Sequence, residues 1–444
     1  MNDEQNKMGI HHVGEDVIYY AGDRVITRSS NKAMQQTYKI DSPICNLDID
    51  LKIEPQAAFE GIKELVSLSP EIGRLLVAQA IAGITREAFN KTGFTPCTVL
   101  FIKGKSNMLK SHYVPHLTQL YDRADGVRAD TRFNSTKRFI EDILCENCEC
   151  TVVIDDLHTA ESKGIKRSNE NTAEEIIRRV GDDTGRGHKE GNEMVQKKFR
   201  GNVIFIGEYA IGRESTIPRM LIAELTLRPD GAILDDYQRH KPLLVSTFYY
   251  YFIQWYVDNY NAICNEIDKR ISEFRKKEGV ADIHGRLLDT QFYLQTSYMI
   301  FLEYCRDSGF ITQEDAIDEF NYFSDQLIEL ILAQQKKLDQ DGDGPQKRNY
   351  LKLIRKLYRR GKFRLADNAE NFCEDRHDGL IYYECLCIRR KSLEKKLHKI
   401  SADIKIDEVI SSLIENKALK LVKEKNSVQI VGKRFYAIWL DALK

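Results

Sequence analysis

The chain has 444 residues, 42% of them hydrophobic and 30% charged, which is the balance of a folded globular protein with room for two to four domains. No apolar run reaches the length of a membrane span and the N-terminus is polar, so we expect a cytoplasmic protein without a membrane partner. The net charge is -1, but residues 346–444 carry 24 Lys and Arg against 13 Asp and Glu. This asymmetry predicts a partner site at the C-terminal end.

The first 90 residues predict an N-terminal α+β region. Short β-prone runs come first, and two runs with helical periodicity follow at residues 59–68 and 71–89. The segment from Thr92 to Pro96 then breaks the helical pattern.

Residues 91–235 alternate between strand-like and helix-like runs. Four apolar runs have the composition of strands buried on both faces: Cys97–Ile102, Thr151–Ile154, Val203–Ile206 and Met220–Leu225. Helix-like runs at residues 135–144 and 171–180 lie between them. The alternation predicts an α/β fold with a parallel sheet.

The remaining residues indicate two further parts. Residues 236–340 predict a helical segment, in which the aromatic run from Phe248 to Phe252 favours a core lining over a base-stacking role. Residues 346–444 predict a basic C-terminal domain that ends in a winged helix-turn-helix. Its last elements are expected to be a helix, a strand, a turn at residues 424–427 and one final strand from Ser427 onward.

A loop with the residues of a phosphate-binding site follows the first buried strand. It matches the pattern GxxxxGK[ST] except that a leucine replaces the second glycine, and its residues are Gly104, Lys105, Ser106, Asn107, Met108, Leu109, Lys110 and Ser111. Such a loop curls backbone N–H groups around the phosphates of ATP at the start of a helix. Lys110 would reach the β- and γ-phosphates, and Ser111 would hold Mg²⁺. Alone, the pattern fits a lysine-bearing turn before a helix equally well.

The second buried strand ends in two acids, Asp155 and Asp156. In a nucleotide site Asp155 would bind Mg²⁺ and Asp156 would act as the general base that polarises the attacking water. Otherwise, an aspartate at a strand end is a helix N-cap. The phosphate loop and the acidic strand end, in this order on an α/β pattern, favour a P-loop ATPase site.

Two later residues complete the predicted catalytic set. Glu208 ends the third strand, where P-loop ATPases of the AAA+ class place a polar residue that senses the γ-phosphate, although an acid is unusual beside phosphate. Arg219 is the candidate arginine finger, because a guanidinium supplied by a neighbouring subunit can neutralise transition-state charge. A surface arginine is the alternative for Arg219.

Basic residues between the second and third strands suit contacts with DNA phosphates. They flank a plausible hairpin tip at residues 190–193 and are Arg186, Lys189, Lys197, Lys198 and Arg200. A solvated charged loop is the alternative. The nearby Cys145, Cys148 and Cys150 lack a fourth ligand at a recognisable spacing, so we expect packing thiols rather than a metal site.

Residues 95–230 resemble a family of phage and mobile-element AAA+ proteins that were long catalogued as a domain of unknown function. The resemblance lies in an ordered set of short motifs: residues 131–136, 153–156, 177–179, 181–187, 200–201, 207–208 and 215–219. That family is related to the replicative helicases of cassette chromosomes, which are similar to MCM motors. The resemblance implies a hexameric ATPase that loads on or moves along DNA, with residues 186–200 as the DNA hairpin and Arg219 acting in trans.

The sequence therefore predicts an AAA+ P-loop ATPase core with a helical segment and a C-terminal winged helix-turn-helix. The predicted function is an ATP-dependent helicase, or helicase-like ATPase, that acts on single-stranded or forked DNA during replication of a mobile element. A primase or polymerase is a possible partner. The main alternative is a DNA-binding initiator or adaptor that uses ATP as a conformational switch and unwinds nothing; a defence ATPase that acts on a partner protein is a third. Leu109 puts the rate of turnover in question.

Overall fold

The computed structural model describes most of the chain, namely residues 8–14, 16–30, 45–123, 131–157, 163–183, 186–190, 193–197, 199–211, 216–274, 283–341, 350–400, 404, 406–422, 426–430 and 432–443. The chain divides into two compact units, Met1–Leu338 and Asp339–Lys444. Each unit contains its own hydrophobic core. The finer division of the first unit into three predicted parts remains a prediction.

The first unit begins with an antiparallel meander and three helices. The meander consists of β1 (Gly9–Val13), β2 (Asp16–Ala21) and β3 (Arg24–Thr27). The helices that follow the short strand β4 (Cys45–Asn46) are α1 (Pro55–Ser67), α2 (Pro70–Ile84) and α3 (Arg86–Lys91). Proline opens both α1 and α2, a position where its missing N–H costs no helical hydrogen bond.

A five-stranded, all-parallel sheet forms the centre of the first unit. Its strands are β5 (Val99–Lys103), β7 (Thr131–Arg132), β8 (Thr151–Leu157), β11 (Asn202–Gly207) and β12 (Met220–Glu224). They lie in the order β12-β5-β11-β8-β7, so β11 separates the loop-bearing β5 from the acidic β8. The predicted α/β class with a parallel sheet is confirmed. The two-residue β7 was not predicted, because so short a strand has no periodicity to detect.

Helices and small strands connect these five strands. They are α4 (Lys110–Thr118), β6 (Asp122–Arg123), α5 (Lys137–Glu146), α6 (Lys163–Gly181), the antiparallel hairpin of β9 (Arg186–Glu190) and β10 (Glu193–Lys197), and a 3-10 turn at Ile217–Arg219. Thr136 caps α5 by accepting a hydrogen bond from the amide of Phe139, as its position before the apolar run requires.

Helix α2 packs directly on the sheet. It is apolar on almost every side, since it contacts α4, β8 and β11. Gly83 permits the close approach, because a Cβ there would lie 2.9 Å from the Thr151 hydroxyl oxygen. The helix also receives side-chain hydrogen bonds at its Gln79 carbonyl, from Thr151 and Asn202. The N-terminal residues thus share one core with the sheet.

Long helices complete the first unit, as the sequence predicts. They are α7 (Gly231–His240), α8 (Leu244–Phe274), α9 (Gly285–Asp307) and α10 (Gln313–Asp341). The aromatic run in α8 is largely buried: Phe248, Tyr249 and Phe252 are fully enclosed. The prediction of a core lining is confirmed for these three rings.

The second unit is built on one five-stranded sheet, in the order β13-β14-β15-β17-β16. In chain order its elements are α11 (Tyr350–Arg359), β13 (Leu365–Ala366), β14 (Gly379–Tyr382), β15 (Cys385–Ile388), α12 (Arg390–His398), α13 (Ile406–Glu415), β16 (Val428–Ile430), β17 (Lys433–Trp439) and α14 (Leu440–Leu443). The helices pack on one sheet face, and the segment holding Ala369 and Phe372 packs on the other.

The end of the second unit differs from the predicted single final strand. Residues from Ser427 onward form two antiparallel strands, β16 and β17, instead of one. Gly432 lies between them with φ 72°, a left-handed conformation that glycine adopts at no steric cost and that reverses the chain. Helix α13 does precede this hairpin, so the predicted order of helix before hairpin holds.

Candidate functional site

Three parallel strands end together at one edge of the first unit's sheet. Lys103 of β5 pairs in register with Gly207 of β11, and Leu157 of β8 pairs with Gly207 from the other side. The amide of Gly104 donates to the Gly207 carbonyl over 3.1 Å, and that of Glu208 donates to the Leu157 carbonyl over 2.9 Å. Ligands of open α/β sheets bind at such carboxyl ends. The phosphate-loop residues, the two aspartates and Glu208 all lie there.

The loop that is predicted to bind phosphate leads directly into helix α4. Leu109 takes the left-handed conformation, with φ 57°, at the position before the first helical residue, Lys110. Asn107 is left-handed as well. The backbone at Leu109 therefore adopts the conformation that a glycine would favour, at a steric cost of roughly 1–2 kcal/mol for a residue with a Cβ. The loop thus makes its tight turn into α4 with a leucine in place of the second glycine of the pattern.

Lys110 points back into the loop. Its side-chain ammonium donates to the carbonyls of Gly104 and Lys105, at 2.7 Å each, and the residue is only 8% exposed. Burial lowers the pKa of Lys110, while the carboxylates of Glu208 and Asp155 oppose that shift. A Cβ at Gly104 would lie 3.1 Å from the Lys110 Cδ atom, so glycine leaves room for this side chain. The site thus holds a buried cation among backbone carbonyls and two acids.

The acidic end of β8 is irregular. Between Phe205 and Gly207 of β11, strand β8 has one residue more, and the resulting bulge contains Asp155 and Asp156. Asp156 has φ 74°, and its amide donates to the Asp155 Oδ1 atom over 2.6 Å. The backbone of Asp155 is held from the other side by the amide of Phe133. Bulges, and residues other than glycine in the left-handed conformation, are concentrated at functional sites, where they redirect side chains.

Glu208 contacts the phosphate loop directly. The hydroxyl of Ser106 donates to its Oε1 atom over 2.6 Å. Met108 is half-buried against the core, and Ser111 is exposed on the second residue of α4. The structure brings together the loop from Gly104 to Ser111, the acidic strand end and Glu208, although about 50 residues separate each from the next along the chain.

Arg219 lies at the end of the 3-10 turn. Its guanidinium Nη2 donates to the Asp182 Oδ1 atom over 2.8 Å, and Arg286 of α9 donates to the same oxygen over 2.9 Å. Partial burial disfavours the charged Asp182 carboxylate, but these hydrogen bonds keep its pKa below the usual value. Arg286 also donates to the carbonyl of Gly181. Sequence reasoning missed both Asp182 and Arg286 as neighbours of Arg219, because the motif at residues 181–187 assigns Asp182 no partner and Arg286 lies outside every motif.

The predicted hairpin is present between α6 and β11. Its register pairs Arg186 with Lys197 and Lys189 with Met194. Lys198 lies outside the described residues. Arg200 follows the hairpin, and its guanidinium lies 3.4 Å from the buried carboxylate of Glu149.

Of the three cysteines predicted to pack, Cys145 is half-buried. Cys148 and Cys150 are buried, and burial raises the pKa of the Cys150 thiol well above its usual value. In the part of the chain that the structure describes, no group of three or more His, Cys, Asp or Glu side chains is arranged to hold a metal. Over the same residues, no helix is both long and apolar enough to cross a membrane.

Among solved structures, the chain is similar to one titled "SCCmec type IV Cch - active helicase". The two align over 98% of this chain and 80% of that one, with a TM-score of 0.59 and 14% sequence identity. This chain shares its fold with a helicase. A second structure, "The A form apo structure of NrS-1 C terminal region-CTR", covers 96% of this chain and 94% of its own, at 10% identity, and its TM-score of 0.27 carries no weight. The sequence matches no protein-family model and none of the curated proteins.

Proposed function

We propose that the protein is an ATP-dependent DNA helicase, or a helicase-like AAA+ P-loop ATPase, that serves replication of a mobile genetic element as a ring of six copies. The observation that carries the proposal is the position of Lys110. It is a buried lysine at the start of a helix, and it lies across one intervening strand from a bulged strand end with two aspartates. The fold shared with a helicase supports the same function.

The residues at this edge fit ATP with Mg²⁺. The start of α4 supplies unsatisfied N–H groups for phosphate, and Gly104 leaves space that a side chain would fill. Asp155 and Ser111 offer the oxygen ligands that Mg²⁺ prefers. Bound there, Mg²⁺ would neutralise charge on the transferred phosphoryl group. Lys110 would exchange its two carbonyl partners for phosphate oxygens.

The chain's own side chains then have distinct roles. Asp156 would orient the attacking water and accept its proton, and Glu208 would hold the loop through Ser106 until phosphate arrives. Arg219 would act on the nucleotide of a neighbouring copy, positioned by Asp182. Hydrolysis at copy interfaces would move the hairpins along DNA.

The register of the β9–β10 hairpin supports contact with a polyanion. Arg186 and Lys197 stand directly opposite each other. Arginine and lysine in a hairpin suit contacts with the phosphates of DNA. We propose that this hairpin, with Lys189, Lys198 and Arg200, contacts single-stranded or forked DNA. A primase or polymerase would act on the strands that the ring separates.

A forked-duplex unwinding assay tests the function. We expect strand separation that requires ATP and Mg²⁺, and no separation with a non-hydrolysable ATP analogue. ATP-dependent binding to duplex without separation would instead establish the initiator or adaptor. Hydrolysis that is indifferent to every nucleic acid would favour an ATPase that acts on a partner protein.

A further inference from the structure

The turn between β14 and β15 exposes two tyrosines on a strained backbone. Its central residues, Tyr383 and Glu384, have φ 39° and 44°, the pattern of a tight type I′ turn. Asn and Gly are the usual residues there, since a Cβ in the left-handed region costs roughly 1–2 kcal/mol per residue. Tyr383 is nevertheless 74% exposed and Tyr382 39% exposed. Packing explains neither ring.

The strand register places one of these tyrosines in a row with a tryptophan. Tyr382 pairs with Cys385, and Cys385 pairs with Trp439, so all three side chains lie on the same sheet face. The small Cys385 is buried between the two larger residues. Tyr383 contacts Tyr382, with ring centroids 4.5 Å apart. We name Tyr382, Tyr383 and Trp439 the aromatic strip.

A cation completes the strip. The Lys420 ammonium lies 4.9 Å from the centroid of the Trp439 ring. The amide of Lys420 donates to the Ala437 carbonyl, which fixes this lysine beside β17. Glu384 is the acid at the turn, and residues 346–444 carry a net charge of +11. Aromatic rings beside a cation, in a segment whose net charge is positive, suit unpaired nucleobases joined by phosphates.

The helix before the last hairpin is unsuited to duplex DNA. In a winged helix-turn-helix this helix would enter the major groove. Here it is α13, whose sequence IDEVISSLIE contains three acids and neither lysine nor arginine. Its charge would repel the phosphates that line the groove. The exposed rings therefore favour single strands over duplex.

We propose that the aromatic strip binds single-stranded DNA by stacking bases on its rings, with Lys420 close to the phosphates. The choice of DNA rests on the proposed function. The binding itself requires no ATP, so it can be measured apart from hydrolysis. The strip would hold the strand at a second position besides the β9–β10 hairpin.

Fluorescence of Trp439 gives a direct readout in the full chain. The protein has two tryptophans, and Trp255 lies in α8, where its Nε1 donates to Asp307. The variant Trp255→Phe leaves Trp439 as the single reporter. We expect an oligo-dT of about 16 nucleotides to quench its emission saturably, and an abasic oligonucleotide of equal length and charge to leave it unchanged. Equal quenching by both would show charge binding alone and would overturn the proposal.

Two variants separate binding from folding. Tyr382→Ala with Tyr383→Ala is expected to weaken oligo-dT binding at least about fivefold. Tyr322→Ala is the matched control, since Tyr322 is also exposed and has the cation Arg74 over its ring, as Trp439 has Lys420. This variant is expected to bind like the parent protein. An unchanged affinity of the double variant for oligo-dT would contradict the proposal.

Tyr383→Gly makes the test independent of misfolding. Glycine relieves the left-handed backbone and removes the ring. We therefore expect a higher Tm together with weaker oligo-dT binding, a combination that a purely structural role for Tyr383 excludes.

Lys110→Ala should retain full quenching of Trp439 by oligo-dT. If oligo-dT fails to quench Trp439 while DNA still stimulates ATP hydrolysis, only the role of the aromatic strip is refuted. If oligo-dT quenches Trp439 but the protein does not hydrolyse ATP, the proposed motor function is refuted.

Discussion

Two of the regions that contain left-handed residues other than glycine are proposed binding sites, and they differ in what that geometry presents. At the sheet edge with the predicted phosphate loop, Leu109 directly precedes the buried Lys110, and Asp156 lies in the bulge at the end of β8. At the β14–β15 turn, Tyr383 and Glu384 are neighbours in sequence and lie in solvent. In the first region the strained residues lie where polar side chains meet at the sheet edge. In the second region they lie where tyrosine rings are exposed. In both regions a glycine would relieve strain.

The largest expected effect concerns Arg219. If it stabilises the transition state in trans, Arg219→Ala lowers the hydrolysis rate by about 10³- to 10⁵-fold. Arg239→Ala, an exposed arginine of α7, is the matched control and should hydrolyse ATP normally. The rate is measured by phosphate release at saturating ATP.

Mixing subunits tests whether Arg219 acts between copies. Arg219→Ala and Asp156→Asn proteins, each inactive alone, should regain hydrolysis when mixed, because some interfaces then combine an intact arginine with an intact base. Mixtures that stay as inactive as their components would assign Arg219 to its own subunit, where it is bonded to Asp182.

The next largest effect is expected at Asp156. Loss of a general base reduces rates by about 10²- to 10⁴-fold, so Asp156→Asn should fall in this range while ATP binding persists. Asp142→Asn, on the surface of α5, serves as the control. Full activity in Asp156→Asn would show that Asp156 is not the general base and that it only shapes the backbone of the bulge.

Glu149 provides a left-handed residue outside both regions, with φ 48°. Burial raises its pKa to about 8 from 4.5, and the Ile10 amide and Arg200 offset this only partly. The folded state thus holds a proton that the unfolded state has lost between pH 4.5 and 8, so this group's contribution to stability falls as pH rises through that window, by at most about 1.4 kcal/mol per unit.

The pH dependence of the Tm measures this contribution. Glu149→Gln keeps a neutral side chain at every pH and should flatten the decline between pH 5 and pH 8 by an amount of roughly 1 kcal/mol or more. Parallel curves for the two proteins would show that Glu149 is charged when folded. Because Glu149 precedes β8, at the opposite end of that strand from Asp155 and Asp156, hydrolysis by Glu149→Gln should remain close to wild type.

Leu109 carries the smallest effect. Leu109→Gly removes left-handed strain of roughly 1–2 kcal/mol, but it also removes a half-buried side chain near Gly231. We expect kcat to change by less than about tenfold, and to rise rather than fall. A large loss of hydrolysis would mean that the leucine side chain, and not only its backbone, shapes the loop.

The order of motifs made the first region predictable. Buried strands in alternation with helices give a parallel sheet, and the carboxyl ends of parallel strands meet at one edge, so Lys110, Asp155 and Glu208 could be expected together. The bulge at Asp155–Asp156 could not, because a one-residue insertion depends on the neighbouring strand. The partnership of Asp182 with Arg219 and Arg286 depends on tertiary packing in the same way.

The second region was hidden for a different reason. Tyr382 and Trp439 are 57 residues apart, and only the register of three strands places them in one row. Sequence reasoning also took the final residues as one strand, although Gly432 turns the chain. Period-two patterns show which residues alternate along a strand but not which strands are neighbours.

ATP hydrolysis by the wild type and by Lys110→Ala, each with and without single-stranded DNA, tests the central claim most directly. Lys63→Ala, an exposed lysine of α1 paired with Glu60, is the control. We predict hydrolysis by the wild type that single-stranded DNA stimulates, the same behaviour in Lys63→Ala, and none above background in Lys110→Ala. Hydrolysis by Lys110→Ala at the wild-type rate would contradict the assignment of the nucleotide site.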